Sequence, residues 1–127
     1  MEVGWRAFER NGFKDLVARR YREGATLLGV SAGAVQMGRG GLTDDGSAFL
    51  PTFGFLPSYV GVHEQDADWP SLRRTLSRQP KPAQGIGIPA GGAATYSAGQ
   101  LRPIRKPLFE ICLDGPIIRE RILCPAP

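Results

Sequence analysis

A chain of 127 residues is long enough for one domain with a single core. With 42% apolar and 22% charged residues it has the balance of a globular protein, and no run of about 18 apolar residues is there to span a membrane. The N-terminus lacks a basic-then-apolar signal pattern, and two cysteines, Cys112 and Cys124, are too few for a disulfide framework, so a reduced cytoplasmic setting is expected. A net charge of +4 raises the question of nucleic acid. Its distribution argues against it: Arg19, Arg20 and Arg22 sit among Asp15 and Glu23, Arg73, Arg74 and Arg78 lie on a separate segment, and no basic run is interleaved with aromatics. The basic groups read as a solvated surface.

From Gly4 to Gly24 the pattern is helical. Phe13, Leu16, Val17 and Tyr21 fall at helical spacing and form one apolar stripe. Asn11 is placed to cap the start and Gly24 to end it, with Trp5 and Phe8 on a separate turn ahead. The stripe predicts a helix that packs on a sheet and carries no chemistry. Thr26 to Val30 is apolar and predicts a strand buried on both faces, as in a parallel sheet. Ala32 to Met37 predicts a short helix that Gly38, Gly40 and Gly41 terminate. Helix, buried strand, helix is α/β grammar.

The segment Leu42 to Pro57 is punctuated by glycine and proline and holds the adjacent acids Asp44 and Asp45. Its Phe49, Phe53, Phe55 and Leu56 imply a fold-back onto the core. Ser58 to Val62 predicts a short strand that delivers His63, the only histidine. Asp68-Trp69-Pro70-Ser71 predicts a helix start with Asp68 as cap, Leu72 and Leu76 as its apolar face, and Pro80 and Pro82 as its stop. Gln84 to Ile88 is strand-like. Ala93 to Ser97 and Gln100 to Arg105 predict a hairpin across Ala98-Gly99. Pro107 to Leu113 and Ile117 to Leu123 predict two more strands, completing a C-terminal meander.

Gly29-x-Ser31-x-Gly33 has the spacing of a nucleophile elbow, with an apolar strand before it and a helix after. Such a turn projects the serine hydroxyl away from the sheet, and the following helix aims free N–H groups, that of Ala32 first, at the same place. The same spacing also arises as a plain structural turn. A serine hydroxyl needs a base, and if that base is a histidine it can only be His63, at the predicted C-terminal end of a strand. The third member would be an acid that orients the imidazole. Asp44 and Asp45 lie between Ser31 and His63 in the chain, and Asp45 is the choice, although Asp44-Asp45-Gly46 also suits a turn. Glu64, beside the histidine, is a candidate for binding a substrate cation or else a surface charge. No histidine pair exists, and the two cysteines are too isolated for zinc, so no metal is expected. Gly85-x-Gly87 lacks the third glycine of a dinucleotide fingerprint.

Gly29-Val30-Ser31-Ala32-Gly33-Ala34 resembles the G-x-S-A-G-A elbow of the cyanophycinase and peptidase E family, serine peptidases on a class I glutamine amidotransferase-like, flavodoxin-like α/β fold. Tyr59 to Glu64 resembles the family's histidine strand, Pro70 to Ser77 the stretch after it, and Gln84 to Pro89 its G-x-G-I strand. The likeness runs from Gly12 to about Leu113. It implies Ser31 as nucleophile, His63 as base, an acid in the Asp44–Asp45 loop and Ala32 N–H as oxyanion donor, acting on a peptide or isopeptide without metal or organic cofactor. The expected partners are that substrate and, at most, a second copy of the chain, with no nucleic acid and no membrane. The family begins with several βα units that carry a glycine pair completing the oxyanion hole. This chain starts at the helix before the elbow, so the resemblance implies a single, N-terminally shortened domain with part of its sheet and one oxyanion donor missing. Where the family often has a glutamate after the G-x-G-I strand, this chain has Ala90. A catalytically inactive amidotransferase-like module is the alternative.

Overall fold

A computed structural model describes residues 1–127. The chain is a mixed α/β fold of four helices and eight strands, the strands divided among three small sheets. Two helices open it: α1 (Glu2–Arg10) and α2 (Phe13–Arg22). The helical pattern from Gly4 to Gly24 is thus divided in two, with a full helix where a separate turn was expected ahead of Asn11. Gly12, at φ +70°, takes a left-handed turn between the two, and Asn11 ends α1 instead of capping α2. Its side-chain amide donates to Ala7 O at 2.9 Å. Trp5, expected on an isolated turn, is fully buried on α1, with Phe53 edge-on at 4.9 Å.

The expectation that α2 packs on a sheet is overturned. No residue of α2 is buried; Phe13, Leu16 and Tyr21 stay substantially exposed. Tyr21 rests on Phe55 at 4.2 Å, and Phe55 stacks on Phe53 at 4.8 Å. The helix leans on an aromatic ladder.

Thr26 to Val30, expected as a doubly buried strand, is paired with nothing. It runs without turn or bend, and it alternates: Thr26, Leu28 and Val30 point outward while Leu27 and Gly29 are half-buried. Leu28 is 87% exposed and Val30 73%. The residues have strand character, but no neighbouring backbone supplies the ladder.

After α3 (Ala32–Met37), β1 (Gly40–Leu42) and β2 (Phe49–Pro51) form a small antiparallel hairpin inside the segment expected as a loop. The fold-back holds: Leu50 and Leu56 are buried, and Phe49 packs against the core. The main sheet has the order β3-β4-β7-β8, from β3 (Tyr59–Val62), β4 (Ala83–Ile88), β7 (Leu108–Asp114) and β8 (Ile117–Leu123). Only β3 and β4 are parallel; β4–β7 and β7–β8 are antiparallel, so the sheet is mixed. A two-residue turn joins β5 (Ala93–Ser97) to β6 (Gln100–Ile104). Ala98 and Gly99 both have positive φ there, at 48° and 74°, which a type I′ hairpin requires.

The core lies where α4 (Pro70–Ser77) crosses from β3 to β4. Tyr59, Trp69, Leu72, Leu76, Ala83 and Ile111 form it, with Phe109 and Leu113 packed alongside. Three strand glycines make that approach close enough. A Cβ added at Gly61 would sit 2.9 Å from Leu72 Cβ, at Gly85 2.9 Å from Leu72 and Leu76, and at Gly87 2.6 Å from the Trp69 indole. The Gly85-x-Gly87 pattern is thus a seat for a helix. Asp68 does not cap α4. It pairs with Arg73 at 2.8 Å, and Trp69 occupies the cap position in a left-handed conformation.

Candidate functional site

Ser31 links the unpaired segment to α3, and its backbone is strained. At φ +52° and ψ −116° it lies outside both the right- and left-handed helical regions, in space that glycine enters freely and a serine does not. The residues around it explain how it is held. Gly29 packs against the first turn of α3 so closely that an added Cβ would stand 2.5 Å from Gly33 O. Gly33 N–H donates to Val30 O at 2.8 Å, and the N–H groups of Ala34 and Val35 donate to Ser31 O at 2.9 and 3.3 Å. The turn is closed by main-chain bonds on both sides of the serine. Ala32 N–H has no main-chain acceptor, as expected of the first amide of a helix. Ser31 itself is exposed.

His63 follows the last residue of β3 and is exposed. Its φ of +61° turns the chain out of the strand, while its N–H still donates to Ile88 O at 3.3 Å and extends the parallel ladder by one residue. Left-handed residues gather at this strand end, with Asp68 and Trp69 both at φ +59°. Strained non-glycine residues of this kind are concentrated at functional sites.

Asp45 is placed in the β1–β2 connection, and its carboxylate is occupied there. Oδ1 accepts from Thr43 Oγ1 at 2.6 Å, from Ser47 N at 3.0 Å and from Ser47 Oγ at 2.8 Å. These bonds, the Thr43 hydroxyl first, hold its pKa down from 3.8 to about 2. The carboxylate is therefore a turn-stabilising anion with its hydrogen bonds directed to its own loop. Its neighbour Asp44 faces the α-amino group of Met1 at 3.5 Å. Neither acid is hydrogen-bonded to His63.

Glu64 Oε2 accepts the Ser71 N–H at 3.1 Å and so supplies the N-terminal cap of α4 that Asp68 was expected to give. Glu64 also borders a cavity of about 300 Å³ together with Asp44, Ser71, Arg74 and the apolar Val62 and Leu72. A second cavity, of about 280 Å³, lies on the opposite face of the sheet beneath Tyr96 and Leu101 of the β5–β6 hairpin. Ser31 and His63 line neither. Ala90, just past β4, donates its N–H to Gln65 Oε1 at 3.3 Å, and its carbonyl accepts from Lys106 Nζ at 2.6 Å. No cluster of three His, Cys, Asp or Glu side chains is placed to hold a metal ion.

The left-handed run at Asp68–Trp69 and the capping role of Glu64 were missed from sequence.

Comparison with protein-family models, with curated proteins and with solved structures gives no match for this chain. The site therefore stands on its own geometry.

Proposed function

We propose that the chain is a serine-type hydrolase of the cyanophycinase and peptidase E kind, on part of a class I glutamine amidotransferase-like fold, with Ser31 as the nucleophile. One observation carries the reading: a non-glycine residue at φ +52° and ψ −116°, clamped between an extended apolar segment and a helix. A residue held in such a conformation costs about 1–3 kcal/mol, and residues of this kind collect at functional sites. In this scheme Ser31 Oγ attacks the carbonyl carbon of a peptide or isopeptide bond. His63 takes the hydroxyl proton and returns it to the departing amine. Ala32 N–H donates to the developing oxyanion. Water then releases the acyl group from Ser31, with His63 again as base.

A second reading is a non-catalytic amidotransferase-like module that keeps the elbow as a fold element. The hydrogen bonds of Asp45 favour it, since its carboxylate is committed to Thr43 and Ser47 and leaves His63 without an orienting acid. A fluorophosphonate probe separates the two. Under the hydrolase reading the chain is labelled, Ser31→Ala abolishes labelling, and His63→Ala slows it strongly. Equal labelling of the chain and Ser31→Ala would leave the module as the function.

A further inference from the structure

The face of the main sheet that α4 leaves uncovered is roofed by the β5–β6 hairpin, and the roof stands off from the floor. Neither hairpin strand has a buried residue; the inward Ala94, Tyr96, Leu101 and Pro103 are only half-buried. Beneath them lies the cavity of about 280 Å³, walled by Leu56, Ile86, Tyr96, Leu101 and Leu123. Protein interiors ordinarily close to the density of organic crystals. This space is about twice the roughly 150 Å³ of an engineered cavity that holds benzene, so two fused rings fit it.

The floor is polar, and one of its groups is unmatched. Glu110 accepts from Gln84 Nε2 at 2.5 Å and from Arg121 Nε at 2.7 Å. Carboxylate and guanidinium cancel there, and the lining carries no net charge. Ser58 lines the same cavity and is only 5% exposed, yet its hydroxyl has no hydrogen-bond partner in the chain. Trp5 Nε1 is the one unpaired polar side-chain atom sealed completely from solvent, so the Ser58 hydroxyl reaches open space. Holding a hydroxyl in the interior without a partner is unfavourable, and a bound group that hydrogen-bonds it removes that cost. Apolar walls with a few placed polar groups are the usual make-up of a small-molecule site.

We infer that this cavity binds a small neutral aromatic molecule, of about two fused rings, whose hydroxyl or carbonyl group hydrogen-bonds the Ser58 hydroxyl. The apolar walls take the ring faces. An anion would meet Glu110, whose partner Arg121 is already engaged, and a cation would meet Arg121. Ser31 and His63 are not part of the lining, and the inference does not rest on the hydrolase reading.

Amide NMR of the intact chain titrated with 2-naphthol, naphthalene or 2-naphthoate tests it. 2-Naphthol is expected to give saturable shifts at Ile86, Tyr96 and Leu101. It should bind roughly three- to tenfold more tightly than naphthalene, the worth of one hydrogen bond, and more tightly than the anionic 2-naphthoate. Naphthalene is the more apolar of the two, so non-specific adsorption would reverse that order. Ser58→Ala should erase the preference for 2-naphthol and leave naphthalene binding unchanged, with a thermal midpoint no lower than the parent's because the hydroxyl makes no bond in the chain. Leu101→Trp, which fills the cavity from its roof, should abolish binding of both rings. Arg74→Ala, at the cavity beside α4, should alter neither. Absence of saturable shifts at those three amides, 2-naphthoate as the preferred ligand, a Ser58→Ala variant that keeps the preference for 2-naphthol, a Leu101→Trp variant that still binds, or loss of binding in Arg74→Ala would each overturn the assignment.

Discussion

Two regions of this molecule carry the same sequence pattern, an amphipathic helix beside a short apolar strand, and they fare differently. In the β3-α4-β4 unit, Leu72 and Leu76 are buried and the strands are paired residue by residue, Tyr59 with Gly85 through Val62 with Ile88. In the unit formed by α2 and Thr26–Val30, no helix residue is buried and the strand has no partner. The difference does not lie in apolar content. It lies in Gly61, Gly85 and Gly87, which let α4 close to contact distance, and in a second backbone within ladder range. Apolar alternation gives a segment the capacity to be a strand, and only a neighbour makes it one.

The sharpest way to break that contrast is to compare one leucine from each unit. Leu76 is completely buried between helix and sheet, so Leu76→Ala should lower the free energy of unfolding by about 2–5 kcal/mol. Leu28→Ala should change it by less than about 0.5 kcal/mol in dilute solution, where the segment is a free edge. Urea denaturation followed by tryptophan fluorescence measures both. Equal losses would mean that the two units are packed alike.

Within the elbow itself the two glycines should diverge. Gly29→Ala forces a Cβ into the Gly33 carbonyl, and the atoms it meets, in Gly33 and Ala34, are all backbone with no flexible side chain to yield. It should destabilise the chain by about 1–3 kcal/mol and suppress labelling of Ser31. Gly33 has open space around its missing Cβ and lies inside α3, where alanine is the better helix former. Gly33→Ala should therefore be tolerated and gain about 0.5–1 kcal/mol, with labelling retained. The motif reads as symmetrical in the sequence; its first glycine alone is sterically required.

What the sequence made legible were the locally encoded features. Ala32–Met37, the Pro70 helix start, the Ala98-Gly99 hairpin and the strand ending at His63 all follow from turn chemistry and short-range spacing, and the structure has each of them. What it did not make legible depended on partners distant in the chain. Burial of Thr26–Val30 required a neighbouring strand, and the helix before it required a sheet to lie on. The hydrogen bonds of Asp45 go to Thr43 and Ser47 within one small turn, and none goes to His63. Order along the chain, Ser31 then Asp45 then His63, carries no information about such local competition.

Ser31 gives a smaller but more pointed comparison, because its strain is stored in the less packed of the two units. Replacing it with glycine removes the Cβ that disfavours φ +52°, so Ser31→Gly should raise stability by about 1 kcal/mol, whereas Ser31→Ala, which keeps the Cβ, should not. Thermal unfolding of the two variants side by side measures the difference. A glycine variant no more stable than the alanine one would show that the turn is relaxed, and would remove the main support for a functional serine.

The smallest expected effect is electrostatic and belongs to the β1–β2 turn. The Asp45 carboxyl titrates at about 2 in the folded chain against an ordinary 3.8, so as pH falls the unfolded chain takes up this proton first. The stability contributed by this group is complete above about pH 3.8 and is lost as the pH falls through that interval to about 2. Thr43→Val removes the hydroxyl that contributes most to the shift, and the Asp45 pKa should rise back toward its ordinary value while the acid-induced loss of hairpin stability begins at higher pH. A carboxyl NMR titration reads the first and circular dichroism in acid the second. Because Asp45 spends its oxygens on Thr43 and Ser47, the His63 ring resonances should not follow its titration in either protein. Movement of those resonances with the Asp45 proton would instead join the hairpin to the strand end as one electrostatic unit, and would restore Asp45 as the acid that orients the histidine.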